Sequence, residues 1–260
     1  MPTAIVVLAA LLLTVSPGLA QERRPINPDR PGVAATAELV ERGALQLEAG
    51  IDYARERTAG RQTERRTAAA LTVRYGLLDS LELRLDGEPV VALRNGDDVT
   101  DVGDFQLGVN WRLLEGREGT LLPSLSLFPS VKLPTAPDPI GNERVDATLL
   151  AIATFQSGPL TVDLNAGLAT VAQHEPAGYL LQAILVASVT ADVTDRFKVL
   201  GELFYNSPSE RDGDDRIGAT AGATWIVARD VAVDAAVITT LAGKGPDYRV
   251  QAGVSVRFQP

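Results

Sequence analysis

Apolar and polar residues alternate along most of the chain after residue 44. In the run from Leu81 to Asp86, leucine occupies every odd position and a charged residue every even position. A period of two is the signature of a β-strand whose two faces meet different environments. The pattern predicts an even number of strands, twelve, at about 45–53, 65–75, 81–86, 105–113, 121–132, 144–155, 160–168, 178–190, 196–205, 216–225, 231–237 and 248–258.

The predicted connections alternate in length along the chain. Short ones such as 76–80 and 191–195 follow every second strand, and longer ones such as 87–102 and 206–214 fall between them. Short turns on one side and long loops on the other are typical of an up-and-down outer-membrane barrel, whereas a Greek-key sandwich has no reason to keep this order. We therefore predict an all-β, antiparallel transmembrane barrel over residues 44–260.

Aromatic residues indicate which face of the strands meets lipid. A soluble lipocalin-like barrel shows the same alternation with its apolar face inward, so periodicity alone does not decide. Most aromatics, however, lie on the apolar face near predicted strand ends, as two girdles at the membrane–water interfaces would require. The predicted girdles consist of Tyr75, Trp111, Phe155, Phe197, Trp225 and Phe258 at the short-turn end, and of Tyr53, Phe105, Tyr179, Tyr205 and Tyr248 at the other end.

The opposite face of each strand then lines the barrel lumen. It carries acidic and basic residues in balance, which suits cross-strand ion pairs. The charged lumen residues are predicted to include Glu48, Asp52, Arg66, Arg74, Glu82, Arg84, Asp104, Arg112, Lys198, Glu202, Arg216, Arg249 and Arg257.

An apolar strip interrupts this charged lining. We define the strip as Phe128, Leu180, Ile184, Val186, Leu200 and Phe204. One interpretation is a path for a hydrophobic or aromatic solute. The alternatives are that the segment before the barrel, or Leu39 and Val40 within it, packs on the strip, or that a β-bulge shifts the register and turns these side chains elsewhere.

The N-terminal region divides into two segments. Residues 1–20 contain an apolar run from Ala4 to Val15 followed by small residues, which predicts a cleaved signal peptide. Residues 21–43, the leader, contain Pro25, Pro28 and Pro31 and are predicted to be irregular, in the periplasm or inserted in the lumen. Residues 34–42 are compatible with one or two helical turns.

Composition removes several classes of function. The chain has no cysteine and one histidine, so a disulfide framework, a thiol nucleophile and the commonest metal sites are not expected. A net charge of −9 argues against nucleic-acid binding. His174 lies in a predicted loop without a Ser or Asp at catalytic spacing, so we predict neither an enzyme nor a cofactor. The acidic loop residues, Asp97, Asp98, Asp101, Glu210, Asp212, Asp214 and Asp215, either hold divalent cations beside lipopolysaccharide or are simply solvated.

Short motifs in the first half of the chain resemble one protein family. They are Asp29-Arg30-Pro31, the run from Val40 to Gly50, Arg74-Tyr75-Gly76-Leu77 with Leu81-Glu82-Leu83-Arg84, Gly103-Asp104 and Leu133-Pro134-Thr135. In their order and spacing the chain resembles the outer-membrane transporters associated with the meta-cleavage pathway of phenol degradation. The resemblance implies a barrel in the outer membrane of a Gram-negative-type envelope. Its partners would be outer-membrane lipid, lipopolysaccharide, the barrel-assembly machinery and a small-molecule solute. In one departure from such barrels, Phe258 is followed by Gln259 and Pro260 instead of ending the chain.

Together these features predict a narrow channel or transporter for small solutes, hydrophobic or aromatic ones included. Twelve strands lie between filled eight-stranded barrels and sixteen-stranded porins. The alternative is a non-conducting structural or adhesive barrel that acts through its extracellular loops.

Overall fold

The computed structural model of the protein describes residues 25–57, 63–96, 98–173 and 177–259. Within them thirteen strands follow one another: β1 Leu45–Glu56, β2 Glu64–Leu78, β3 Leu81–Arg94, β4 Asp98–Asp101, β5 Phe105–Leu114, β6 Ser124–Leu133, β7 Asp146–Ser157, β8 Leu160–Gln173, β9 Gly178–Thr194, β10 Phe197–Asn206, β11 Arg216–Ala228, β12 Val231–Gly243 and β13 Tyr248–Phe258.

Twelve of these strands close into an antiparallel barrel. Each pairs with its neighbours in the chain, and β1 pairs with β2 on one side and with β13 on the other. The short strand β4 extends only the end of β3 beyond the ring. The predicted all-β, twelve-stranded, up-and-down barrel is therefore confirmed, with β4 as an addition. Among the described residues, no helix is long and apolar enough to cross a membrane.

The barrel has its apolar face outside and its polar face inside. Leu107 and Leu203 point outward and are 51% and 59% exposed, whereas Glu48 and Glu202 point inward and are 1% and 4% exposed. A water-soluble barrel buries its aliphatic side chains and exposes its charges. The reversed arrangement is that of a barrel whose outer surface meets lipid.

The connections differ from the predicted alternation of lengths. One end of the barrel has two-residue turns at 79–80, 158–159, 195–196 and 229–230, and we call it the short-turn end. The connection at 115–123 on this same end is longer than the one at 244–247 on the opposite end, the loop end. The predicted long loop over 87–102 is also largely strand, because β3 continues to Arg94. Residues 87–94 contain Pro89 and the consecutive apolar residues 90–93, so the alternation on which the prediction depends is lost there.

Candidate functional site

The leader runs through the barrel lumen. The Ile26 N–H donates to the Arg229 carbonyl oxygen at the short-turn end, across 2.8 Å, and the Ile26 side chain packs there in a buried cluster. At its far end the Gly43 N–H donates to the Gly76 carbonyl oxygen, again at the short-turn end, across 2.7 Å. Between these anchors the segment rises into the lumen and returns. It has no helical turn over 34–42, and that expectation is wrong.

Inward-facing acids of the wall bind the peptide groups of the rising arm. Glu48 accepts the Arg30 N–H at 3.1 Å. Glu202, on the other side of the lumen, accepts the N–H groups of Val33 and Ala34 at 2.8 and 3.0 Å. An irregular segment inside a protein has no strand partner for its backbone donors, and burying them unpaired is costly. Carboxylates supply the missing acceptors here.

The returning arm is held in the same way by other side chains. The amide of Asn165 accepts the Ala35 N–H at 2.7 Å and donates to the Ala35 carbonyl at 2.8 Å, as a neighbouring strand would. Closer to the short-turn end, Glu82 accepts the Val40 N–H at 2.8 Å. The leader is thus recognised through its backbone along most of its path.

A buried ionic cluster joins the leader to the wall. Arg74, whose side chain is 1% exposed, lies 2.9 Å from Glu82, 3.3 Å from Glu48 and 3.0 Å from Asp29 of the leader. Arg84 forms a second, very close ion pair with Asp29. Removing one partner of such a buried network leaves an uncompensated charge and costs about 3–5 kcal/mol. These contacts join the base of the leader to the wall in addition to its backbone hydrogen bonds.

Arg30 of the leader lies on a shelf of two glycines. Gly50 and Gly253 face each other across β1 and β13, both on the lumen side. A Cβ atom at Gly50 would lie 2.3 Å from an Arg30 nitrogen, and one at Gly253 would lie 2.6 Å from another. The guanidinium reaches Asp234 at 3.4 Å and Asp52 at 3.8 Å. The glycines therefore make room for an arginine that enters from the leader.

The leader also covers the apolar strip. Ala34 and Ile184 pack against the buried side chains of Val186, Phe204 and Ile238. A second buried cluster contains Ala37, Phe128 and Ile152, with Ala35 packed against it. Phe128, Val186 and Phe204 of the strip are buried, but the structure does not hold the six residues in one cluster. Leu180 and Leu200 are half-buried and, among the described residues, belong to neither cluster.

The remaining charged lumen residues are mostly paired within the wall. Arg216 stacks on Phe204, with its guanidinium carbon 5.2 Å from the ring centroid. Arg112 donates to the Asp79 carbonyl at the short-turn end. The other pairs are Arg66 with Glu88, Lys132 with Asp104 and Asp146, Lys198 with Asp192, Arg249 with Asp52, and Arg257 with Asp230 and Glu41.

The predicted girdle aromatics lie on the outer face of the barrel. At the short-turn end, Phe197 and Trp225 are register partners on adjacent strands, and Tyr75 and Phe258 flank Leu45 at one level. The outward side chains include Tyr75, Trp111, Tyr179, Phe197, Trp225 and Phe258 at 38–57% exposure, and Tyr53, Phe105, Phe155, Tyr205 and Tyr248 at intermediate exposure. The rings of Tyr53 and Tyr248 at the loop end lie 6.3 Å apart. Their role as membrane-interface anchors stays a prediction.

Several residues that bind the leader were missed at the sequence level. Asn165, Thr154, Asn110 and Ile152 all lie on the inward parity of their strands and are buried. Inward parity places them in the lumen, but nothing in their own strands indicates that a distant segment contacts them. The Asp29-Arg30 pair in an otherwise irregular segment was the available signal.

Catalytic and metal chemistry receive no support from the described residues. His174 lies outside them, as do Asp97 and the segment of the predicted signal peptide. Where the chain is described, no group of three histidine, aspartate or glutamate side chains is placed to hold a metal ion. Of the acidic loop residues, Asp98 pairs with Arg94 and Glu210 with Lys244.

Comparison with known proteins agrees with the barrel and with the family resemblance. The family described as "Putative MetA-pathway of phenol degradation" matches residues 28–258, which confirms the resemblance drawn from the sequence motifs. No curated protein matches the chain in sequence.

Solved structures show the same fold at low sequence identity. An outer-membrane channel from Pseudomonas putida F1 has a TM-score of 0.68 and 15% identity, with 90% of this chain and 100% of that chain covered. The NanC porin has a TM-score of 0.57, 10% identity and coverage of 82% and 98%, and the KdgM porin has 0.55, 10%, 82% and 99%. The fold is thus that of an outer-membrane β-barrel.

Proposed function

We propose that this chain, which belongs to the family of the MetA pathway of phenol degradation, is an outer-membrane channel for small hydrophobic solutes that is closed by its own leader. One observation carries the proposal: a separate segment crosses the lumen and packs against part of an apolar strip on the wall. The solved structures of similar fold are a channel and two porins, and this agrees with passage of solutes as the function.

The contacts of the leader are of a kind that can be exchanged for water. Many are hydrogen bonds to its backbone. Ile26 packs in a buried cluster at the short-turn end, but the leader side chains that pack against the strip are the alanines Ala34, Ala35 and Ala37. Apolar burial contributes in proportion to area, so alanine contributes far less than leucine or phenylalanine. When the leader withdraws, larger residues such as Phe128, Val186 and Phe204 become the lining. An apolar lining favours weakly hydrated solutes, which lose little hydration on entry.

The proposed role is passage of solute, without catalysis. The balance of acids and bases in the wall offers no strong preference for either sign of small ion. The acids and bases of the wall belong to the strands, so they stay in the lumen when the leader withdraws.

Deletion of the leader tests the proposal. A variant lacking residues 25–40 is expected to conduct in planar bilayers at a level well above the intact protein. Cells that express it should also take up the fluorescent hydrophobic probe N-phenylnaphthylamine faster. In the same variant, Phe204→Ser should lower probe uptake while leaving ionic conductance nearly unchanged. Folded barrel is verified by the slower migration of unheated samples on gels.

A structural, non-conducting barrel is the second candidate. It is favoured by the completeness of the ionic cluster at Arg74, which holds the leader in place. If the folded leaderless variant neither conducts nor takes up the probe, the channel proposal is wrong and the structural role stands.

A further inference from the structure

Arg216 occupies a distinctive position in the half of the lumen nearer the loop end. It is the first residue of β11, and its side chain points inward over the ring of Phe204. Phe204 in turn lies flat on its register partner Gly218, where a Cβ atom would be 2.1 Å from a ring carbon. Because the ring is fixed against the glycine, the guanidinium is fixed too. A stacked arginine still has donors at its edge, available to a ligand.

Arg216 has no carboxylate partner among the described residues, unlike other bases of the lumen at this end. Arg66 donates two hydrogen bonds to Glu88. Lys132 lies 2.8 Å from Asp104 and 3.1 Å from a second acid. Within the described chain, Arg216 forms no ion pair of 4.0 Å or less; Arg249 and Glu56 are the charged groups near enough to act on it.

Two buried donors in this place lack an acceptor. The Arg216 Nε and the Thr240 hydroxyl oxygen are both buried without a hydrogen-bond partner in the described structure. Both lie beside Gly245, at 2.7 and 2.9 Å from the point where a Cβ atom of that glycine would stand. Buried donors without an acceptor cost free energy, and two of them side by side favour a bound acceptor oxygen, from a ligand or from water.

The surroundings add a second base and an apolar wall. Arg249 points into the lumen, has a side chain 36% exposed, and reaches Asp52 only at 3.9 Å. On the other side, Ile184 stands level with Arg216, because both pair with Asn206 of the strand between them. Ile184 packs on the Phe204 cluster and is half-buried. The site therefore sets two bases, with the acids Glu56 and Asp52 nearby, beside an apolar surface.

We propose that Arg216, Thr240 and Arg249 form a binding site for a small monocarboxylate with an apolar body, on the loop-end side of the leader. The carboxylate oxygens accept hydrogen bonds from Arg216 and Thr240, and the body lies against Ile184. The inference rests on the proposed function and deepens it, because it names the chemical class of solute that binds on the loop-end side of the leader before passage.

Benzoate is a suitable probe, because the site lies beyond the leader and binding does not require the channel to open. Isothermal titration of the purified full chain in detergent should show saturable binding of benzoate. Benzyl alcohol, which keeps the ring but has no charge, should bind at least tenfold more weakly. Arg216→Gln should lower the affinity for benzoate at least tenfold, since charge-assisted hydrogen bonds are among the stronger hydrogen bonds. Arg216→Lys keeps the positive charge but loses the planar set of guanidinium donors. Its benzoate affinity should lie between that of Arg216→Gln and that of the unaltered protein.

Lys198→Gln is the matched control. It removes one positive charge from an inward position near the short-turn end, where Lys198 pairs with Asp192. Its benzoate affinity should equal that of the unaltered protein. The site proposal is overturned if the unaltered protein does not bind benzoate, if folded Arg216→Gln binds it equally well, or if Lys198→Gln weakens it as much. Benzoate binding together with a leaderless variant that does not conduct would leave the site standing and reject the channel.

Discussion

The Asp29 carboxylate of the leader lies 3.0 Å from the Arg74 guanidinium of the barrel wall, and both side chains are almost fully buried. Arg74 also contacts Glu48 and Glu82, which belong to the strands on either side of its own. Asp29 is therefore the third acid beside Arg74. Asp29 also forms an ion pair with a second base of the wall, Arg84. Leader and wall therefore share one ionic cluster, so the position of the leader in the lumen depends on the contacts of Asp29.

Asp29→Asn should loosen the leader. The change removes the leader's charge that faces both Arg74 and Arg84, whereas Arg74 keeps Glu48 and Glu82 and Arg84 keeps Asp86, so the wall stays paired while the leader loses its charge-assisted contacts. We expect frequent openings in single-channel recordings, where the intact protein stays mostly closed. Asp98→Asn is the control, because Asp98 and its partner Arg94 are both about 70% exposed, and such pairs contribute little. Identical recordings from the two variants would show that Asp29 does not hold the leader.

Gly253→Leu should displace Arg30 from its shelf. The new side chain would occupy the space of the Arg30 guanidinium, which lies 2.6 Å from the Cβ position. We expect faster hydrogen–deuterium exchange throughout the leader and a higher conductance. Gly201→Leu is the matched control, since nothing lies within 4 Å of a Cβ atom at that position. Unchanged exchange in folded Gly253→Leu would contradict this role of the glycines.

Glu202→Gln should have a local effect. The carboxylate accepts two adjacent N–H groups, whereas an amide has one acceptor oxygen and turns an NH₂ group toward the second donor. Leaving one buried N–H unpaired costs roughly 1–3 kcal/mol. Exchange at Val33 and Ala34 should therefore accelerate about tenfold or more, while exchange at Val40, held by Glu82, changes little. Acceleration of equal size at Val40 would mean that the leader is released as one unit.

The sequence allowed the barrel and the direction of its faces to be predicted, because strand parity is a local property. The inward position of Phe204 and the outward position of Leu107 both follow from alternation within a single strand. The path of the leader was not predictable in this way. Its contacts with Glu202 and Asn165 join residues more than a hundred positions apart, and hydrogen bonds to a backbone leave no trace in the leader's own side chains.

Filling of the lumen also limits what parity can say about tolerance to substitution. Gly108 and Asn110 of β5 point inward, and parity alone suggests that a charged side chain is acceptable at both. In the structure, however, a Cβ atom at Gly108 would lie 2.4 Å from the Phe128 ring. Asn110 is 2% exposed and donates to the Thr36 carbonyl of the leader. Both positions are therefore closed to arginine, for reasons of space.

Leu107→Arg and Gln106→Arg form the remaining test, which compares the two faces of β5 directly. Leu107 points outward and is 51% exposed, near the middle of the lipid-facing surface, whereas its neighbour Gln106 points into the lumen and is half-buried. Arginine on the lipid face at mid-membrane costs roughly 2–4 kcal/mol, because its charge must leave water. At Gln106 the same side chain lies in the lumen between its two register partners, the acid Asp86 and the base Lys132, so its charge does not enter lipid. We therefore expect Leu107→Arg to lower the free energy of unfolding in lipid vesicles by that amount, measured by urea titration of tryptophan fluorescence. Gln106→Arg should lower it clearly less, because its charge stays in the lumen and out of lipid. Equal losses for both variants would show that the two faces of β5 meet the same environment, which a barrel in a membrane does not allow.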